Sequence, residues 1–287
     1  MQLIDDITIQ IVLYEEEKKI IFDCLSRLSE FKVILVDNSG NTELKKKISE
    51  NFKILKYILN DKNIGFSKAH NQASKYVNTK FMLILNADCI IDKKNILILV
   101  EKLQFYENCS ITSPTTYDQN SKITYNGGLL PENGKKIDPL NITGDACVQS
   151  VLGSSMCMKV DEFKKIGYFD ENLFLFFSDD DLCRKFVNSK KSILQIFSSK
   201  AIHIHGISKV KNFFKRDFLQ NYYLTLDELM YFSKIKTKNK KFIEIQNKIT
   251  NYHYKFLINI FILNFKKVIL YLSKILAYYK YKNLINK

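Results

Sequence analysis

Phe81-Met82-Leu83-Ile84-Leu85-Asn86-Ala87-Asp88 is a run of five apolar residues with a polar stop. No alternation is present, so the run suits a strand buried on both faces, the kind found inside a parallel sheet. Asp88 follows this strand and precedes Cys89-Ile90-Ile91, which holds its carboxylate close to the core. A carboxylate there wants a cation or hydrogen-bond donors.

The neighbouring segments give the strand its context. Ile7–Leu13, with Thr8 and Gln10 interleaved, reads as a first strand; residues 33–36 and 54–59 read as the second and third. Between them, Ile20, Ile21, Leu25 and Leu28 fall at helical spacing, Thr42 can cap a helix through Glu50, and residues 67–77 return to helix after Asn63-Ile64-Gly65. Asp92 can cap a further helix running to about Glu107. Strands alternating with helices at this spacing predict an α/β fold with a mostly parallel central sheet covered on both faces.

Such sheets do their chemistry beyond the carboxyl ends of the strands. The second strand ends in Asp37, the third near Asn60, Asp61 and Asn63, and the fourth in Asn86 and Asp88. Asp37-Asn38-Ser39-Gly40 is also good turn chemistry, so its polarity has two explanations. The first strand leads into Tyr14-Glu15-Glu16-Glu17 rather than a glycine-rich turn, and no G-x-x-x-x-G-K-[ST] occurs. This weighs against dinucleotide-binding and P-loop enzymes. A lone aspartate suggests a different phosphate grip, in which a divalent cation bridges one carboxylate to a diphosphate.

A second informative run is Phe174-Leu175-Phe176-Phe177-Ser178-Asp179-Asp180-Asp181-Leu182-Cys183. Three consecutive carboxylates fit best at a helix start, where the dipole and free N–H groups favour negative charge. An aromatic anchor followed by clustered acid suits a rigidly held catalytic base, and equally an over-provided helix cap.

Composition bounds the rest. The chain has 287 residues, 46% hydrophobic, enough for one large domain with an appendage. Its six cysteines include no C-x-x-C pair, so they read as reduced thiols rather than a zinc site or disulfide framework. The opening residues lack a secretory pattern, which points to the cytoplasm. Of the net charge of +14, nearly all falls in residues 209–287, which hold 17 Lys/Arg and 4 Asp/Glu. The expected division is a body over 1–210 and a basic, aromatic-rich helical tail over 211–287. Residues 218–232 read as helix and residues 234–241 as a basic connector. Residues 256–279 are rich in Ile, Leu, Phe and Tyr but are interrupted by Asn259, Asn264, Lys266, Lys267 and Lys274, too often for a membrane span of ~20 residues. An amphipathic helix lying on an anionic membrane surface fits, at the inner face of the cell membrane; packing on the body or on a dimer partner is the alternative. Aromatics mixed with aliphatics look unlike a base-stacking surface, which weighs against nucleic acid. Asn126-Gly127-Gly128 suggests a hairpin within residues 124–131, and Gly153-Ser154-Ser155 either lets backbone approach a substrate or makes a tight bend.

Several blocks occur in a telling order: Val36-Asp37-Asn38-Ser39, Asn63-Ile64-Gly65-Phe66 with Ala69-His70-Asn71, Leu85-Asn86-Ala87-Asp88, Gly153-Ser154-Ser155, Gly167-Tyr168-Phe169-Asp170-Glu171, residues 177–183, and His203-Ile204-His205-Gly206 with Ser208. By these blocks the chain resembles a family 2 glycosyltransferase of the GT-A fold, in the rhamnosyltransferase-like branch of bacterial surface-glycan synthesis. The resemblance implies that Asp37 binds the nucleotide base and Asn63 lines the nucleotide pocket. It makes Asn86 and Asp88 the D-x-D-type donor site, with Asn86 in place of the first acid. It implies a Mg2+ or Mn2+ ion held by Asp88 and by His203 or His205. Asp179 aligns with the catalytic base, with Asp180 as competitor because Ser178 replaces the usual glutamate. An inverting transfer from a nucleoside-diphosphate sugar, dTDP-rhamnose or a uridine-diphosphate sugar, to a glycan or lipid-linked acceptor follows, with residues 115–150 on the acceptor side. The contrasting possibility is a non-catalytic membrane- or nucleic-acid-binding protein on the same fold.

Overall fold

A computed structural model of the chain describes residues 3–124, 127–134, 143–204, 213–235 and 240–286. In chain order the elements are β1 (Ile7–Leu13), α1 (Lys18–Arg27), β2 (Lys32–Asp37), α2 (Thr42–Asn51), β3 (Lys56–Leu59), α3 (Phe66–Ser74), β4 (Phe81–Leu85), β5 (Cys89–Ile90), α4 (Lys93–Phe105) and β6 (Cys109–Tyr117). There follow β7 (Ile123–Thr124), β8 (Gly127–Gly128), β9 (Ala146–Val148), β10 (Ser150–Val151), β11 (Ser155–Lys159), α5 (Val160–Lys165), α6 (Ser178–Asn188) and β12 (Ser192–His203). Four helices close the chain: α7 (Phe213–Ser233), α8 (Lys240–Asn247), α9 (Ile249–Phe261) and α10 (Phe265–Ile285).

The main sheet runs β3-β2-β1-β4-β11-β6-β12-β5. Its first four strands are parallel; β11 then enters antiparallel between β4 and β6, and β6 and β12 are again parallel. All five residues of β4 are buried, as a two-faced strand requires. Alternate side chains feed two cores. Ile7, Ile9, Ile11, Leu83 and Leu85 pack with α1 and α4 residues on one face, and Val36, Met82 and Ile84 pack with Ala69, Ala73, Leu182 and Phe186 from α3 and α6 on the other. Thr8 and Gln10 do not face water: Gln10 donates to Ser74 Oγ at 3.1 Å and Thr8 pairs with Thr79 at 2.7 Å, so the polar parity of β1 is covered too.

Local detail differs from expectation or adds to it at three places. Asn41, not Thr42, caps α2, its Oδ1 accepting the Leu44 N–H at 2.9 Å. Asn126, on which the expected hairpin turn falls, lies outside the described residues; a described hairpin precedes it. Its turn lies at Asp118, whose carboxylate gathers the N–H groups of Asn120 and Lys122, and β7 returns along β6. Gly127–Gly128 pairs with Ser150–Val151, a distant partner, and a Cβ on Gly127 would lie 2.9 Å from Gln195 Oε1. Finally, the tail's long apolar segment is broken at residues 262–264, where Leu263 takes φ 54° and Asn264 caps α10 through the Lys267 N–H.

The chain divides into two compact units, Met1–Asp170 with Ser178–Lys209, and Glu171–Phe177 with Val210–Lys287. In the second unit, Leu226, Leu229, Ile245, Ala277 and Tyr281 form one core and Leu173, Tyr231 and Phe232 another. Within it, buried Asp227 accepts the backbone N–H groups of Phe174, Leu175 and Phe176 at 2.9–3.0 Å. Among the described residues no helix is long and apolar enough to cross a membrane.

Candidate active site

The parallel strands deliver their polar ends to one edge, and hydrogen bonds lock these ends together. Asp37 closes β2 and is fully buried. Its Oδ1 accepts both the N–H (2.8 Å) and the hydroxyl (2.6 Å) of Ser39, and its Oδ2 accepts the Tyr57 hydroxyl at 2.7 Å. Burial, reinforced by that bond to a carboxylate, pushes the Tyr57 phenol well above its ordinary range, so Tyr57 stays a donor. Asn63 Oδ1 accepts the Gly65 N–H at 2.9 Å and the Asn38 amide at 3.2 Å. Gly65, at φ 89°, opens α3 in a conformation that favours glycine. Asn60 donates to Asn38 and exchanges two bonds with Gln72. Sequence reasoning found Asp37 and Asn63 but not the amide lattice of Asn38, Asn60 and Gln72 that fixes the loop between them.

The β4 exit is arranged differently. The Asn86 N–H donates to the Ser154 carbonyl at 2.9 Å and the Asn86 carbonyl accepts from Cys89 at 3.0 Å, so the chain turns sharply into β5. β12 is long enough to reach this edge after a register shift between Ile196 and Lys200, and pairs antiparallel with β5 in the register His203↔Cys89. That register sets His203 Nε2 3.2 Å from Asp88 Oδ1, while the Ile204 N–H donates to the Asp88 carbonyl at 2.9 Å. Two residues 115 positions apart are thus brought into one pair. A carboxylate suits Mg2+ and Mn2+ and an imidazole suits divalent transition metals, so this pair of donors is compatible with a divalent cation. Among the described residues no group of three or more His, Cys, Asp or Glu that could hold a metal ion is present. His205 lies outside the described residues.

Glu16, in the loop after β1, is a residue the sequence did not single out from the Glu15-Glu16-Glu17 run. It folds back to accept the Tyr14 N–H at 2.5 Å. Burial, with added repulsion from Asp88 and Asp37, pushes its carboxyl up to about 7. Local sequence cannot tell which of three adjacent glutamates turns inward; only the fold does.

α6 resolves the triple aspartate into three environments. Ser178 is buried and accepts the Ser67 hydroxyl at 2.8 Å, anchoring the helix start on α3. Asp181 turns into the body and pairs with Arg184 at 2.5 Å and Lys185 at 3.9 Å. Asp180 accepts the Ser150 hydroxyl at 2.5 Å. Asp179 accepts the Gly153 N–H at 2.9 Å on Oδ2 and the Asp180 N–H at 3.1 Å on Oδ1. Burial raises the Asp179 carboxyl above the usual carboxylate range against these bonds. Gly153 and Ser154 form the tight turn that is one of the two readings of this stretch, and a Cβ on Gly153 would lie 2.9 Å from Phe66 Cζ. The adjacent residue, Ser154, holds Asn86. The corner at residues 153–154 therefore ties the β4 exit to the first turn of α6, and Asp88, His203, Asn86 and Asp179 belong to one connected edge.

Comparison with known proteins adds to this geometry. Residues 8–161 match the model of glycosyl transferase family 2. The chain is 29% identical over 226 residues to the low-salt glycan biosynthesis hexosyltransferase Agl10 of Haloferax volcanii, covering 73% of this chain and 70% of that one. It is 27% identical to the dTDP-rhamnosyl transferase RfbF of Shigella flexneri, covering 70% of each. Against the rhamnosyltransferase WbbL of Escherichia coli K12 it is 24% identical, covering 70% of this chain and 83% of WbbL. Among solved structures it shares its fold with GalNAc-T7 crystallised with UDP, GalNAc and Mn2+ (TM-score 0.60, 14% identity), covering 86% of this chain but only 55% of that one. It also shares it with the mannosyltransferase PcManGT of Pyrobaculum calidifontis in complex with GDP-Man and Mn2+ (TM-score 0.57, 12% identity), covering 81% and 65%.

Proposed function

Because the chain belongs to glycosyl transferase family 2, we propose that it moves a sugar from a nucleoside-diphosphate donor to a hydroxyl of a glycan or lipid-linked glycan, with inversion at the anomeric carbon. The observation that carries this reading is the shared corner at residues 153–154, which binds Asp179 through the Gly153 N–H and Asn86 through the Ser154 carbonyl.

An acceptor hydroxyl is a poor nucleophile at neutral pH. The Asp179 carboxylate takes its proton as the acceptor oxygen bonds to the anomeric carbon. The anomeric bond to the diphosphate breaks in the same displacement, and the electron pair leaves on the diphosphate. Such general-base help is worth roughly 10²–10⁴ in rate. The raised Asp179 carboxyl is a stronger proton acceptor than an exposed aspartate, which suits the task. Asp88 and His203 would hold a divalent cation, Mn2+ by analogy with the two fold neighbours, whose chemistry is to neutralise charge developing on the leaving diphosphate. Asn86 and Asn63 line the donor side, and Asp37, fixed by Ser39 and Tyr57, forms the floor against the base. One base and a departing diphosphate need no covalent sugar intermediate.

The two rhamnosyltransferase relatives support rhamnose as the sugar, and RfbF, a dTDP-rhamnosyl transferase, supports dTDP as its carrier. The strongly basic tail supports attachment to an anionic membrane surface, where a lipid-linked acceptor resides. Thermal stabilisation by a panel of dTDP, UDP and GDP and their sugars, with and without Mn2+, tests the donor assignment. The expected result is a Mn2+-dependent rise in Tm strongest with the thymidine nucleotide; no stabilisation by any nucleoside diphosphate would overturn the reading.

A further inference from the structure

α9 and α10 form a helical hairpin joined by Ile262-Leu263-Asn264, with Tyr252 facing Tyr271 and His253 facing Tyr279 across it. Its interior contacts lie toward the far end, where Ala277 and Tyr281 join the core of the second unit. The turn end is different. Leu257, Ile260, Phe261, Ile262, Leu263 and Phe265 are all exposed, Phe261 at 85% and Leu263 at 71%. Large apolar side chains clustered at one exposed end are a surface built to be covered.

The charges around this end identify the cover. Lys255, Lys266 and Lys267 are exposed beside it. Residues 245–287 contain eight lysines and no aspartate or glutamate. A second copy presenting the same end would set lysine against lysine. An anionic bilayer meets both demands, with hydrocarbon for the apolar tip and headgroups for the ammonium groups.

We infer that the α9–α10 turn inserts Phe261, Ile262 and Leu263 into an anionic lipid bilayer while Lys255, Lys266 and Lys267 rest on its headgroups. This deepens the membrane attachment proposed above and rests on it for the choice of a lipid surface. It differs from a helix lying flat, because only the hairpin end enters and the helices stand away from the surface.

The chain has no tryptophan, so Phe261→Trp makes a single fluorescent reporter. With vesicles of phosphatidylglycerol and phosphatidylcholine, roughly one to two, the full chain carrying this change should show blue-shifted emission that brominated acyl chains quench. The triple variant Phe261→Ser, Ile262→Ser, Leu263→Ser should keep the wild-type Tm, because these side chains are already exposed, yet lose vesicle binding about tenfold or more. Lys266→Gln with Lys267→Gln should weaken binding and remove most of its salt dependence. An unshifted reporter, a triple variant that binds as wild type does, or a chain whose tip variants change only self-association in solution would overturn the inference. Transfer to a water-soluble acceptor, measured on the same variants, separates the two proposals. Vesicle binding without any sugar transfer would sink the transferase reading alone, and transfer that survives loss of the tip is the expected result.

Discussion

The backbone N–H of Gly153 donates to Oδ2 of Asp179 at 2.9 Å. This bond orients the carboxylate proposed as the base, and it depends on close approach, since a Cβ on Gly153 would sit 2.9 Å from Phe66 Cζ and 3.6 Å from Asp179 Cβ. Gly153→Ala should therefore displace the base with little loss of fold. A kcat lower by about 10–100-fold is expected, since small misplacements at a reacting centre are costly. Adding Phe66→Leu, which removes the clashing Cζ, should restore part of the rate. Steady-state kinetics alongside a melting curve decides it; an unchanged kcat would mean the Gly153 contact does not set the base.

His203 and Asp88 should act as a pair toward the cation. His203→Ala is expected to raise the Mn2+ concentration for half-maximal activity at least about tenfold, a change of ~1.4 kcal/mol. Asp88→Asn should abolish the Mn2+ dependence of nucleotide-induced stabilisation. Titrating Mn2+ in an activity assay and in a thermal shift assay checks both. Full activity of both variants in chelator would refute the pairing.

Glu16 gives the metal-free protein a pH signature. Its folded pKa of about 7 lies above the ordinary 4.5 because burial disfavours the charge, with Asp88 and Asp37 adding repulsion. Its contribution to stability is therefore full below about 4.5 and is lost as pH rises through about 7. Glu16→Gln should remove that slope, so its Tm relative to wild type rises between pH 5 and pH 8. Melting curves across this range, without metal, measure the difference; parallel curves would place Glu16 in solvent.

Asp227 carries the strap before α6. Burial pushes its carboxyl up to about 6, while the N–H groups of Phe174, Leu175 and Phe176 and the charge of Lys234 pull it down. Asp227→Ala leaves three donors without their acceptor and should cost about 2–4 kcal/mol. Asp227→Asn keeps an acceptor oxygen and sheds the buried charge. Its stability relative to wild type should improve as pH rises from 4 to 7, because the native aspartate is most favourable when protonated. Denaturant unfolding at the two pH values tests this; equal losses for both variants would argue against the clamp.

The sheet was readable because its strands are uniform. β4 is five apolar residues, the triple aspartate does open α6, and Asp92 caps α4 with its side chain on the Asn95 N–H at 2.9 Å. Legibility failed where a choice rests on distant partners. Gly127–Gly128 looked like a local hairpin, but its strand partner lies at Ser150–Val151. Three adjacent aspartates look alike in sequence; Asp179 and Asp180 separate only when Gly153 and Ser150 arrive from elsewhere, while Asp181 pairs within its own helix with Arg184 three residues on. Asp227 is one of only four acids in a basic tail, and that rarity was a usable signal. Nothing local distinguishes Glu16 from its two neighbours.

The most direct test of the account is the rate of sugar transfer by Asp179→Asn, with donor affinity measured on the same preparation and Asp180→Asn beside it. Asp179→Asn should lose at least about 10²-fold in kcat with donor binding retained, while Asp180→Asn keeps most of its activity. Wild-type turnover by Asp179→Asn would contradict it.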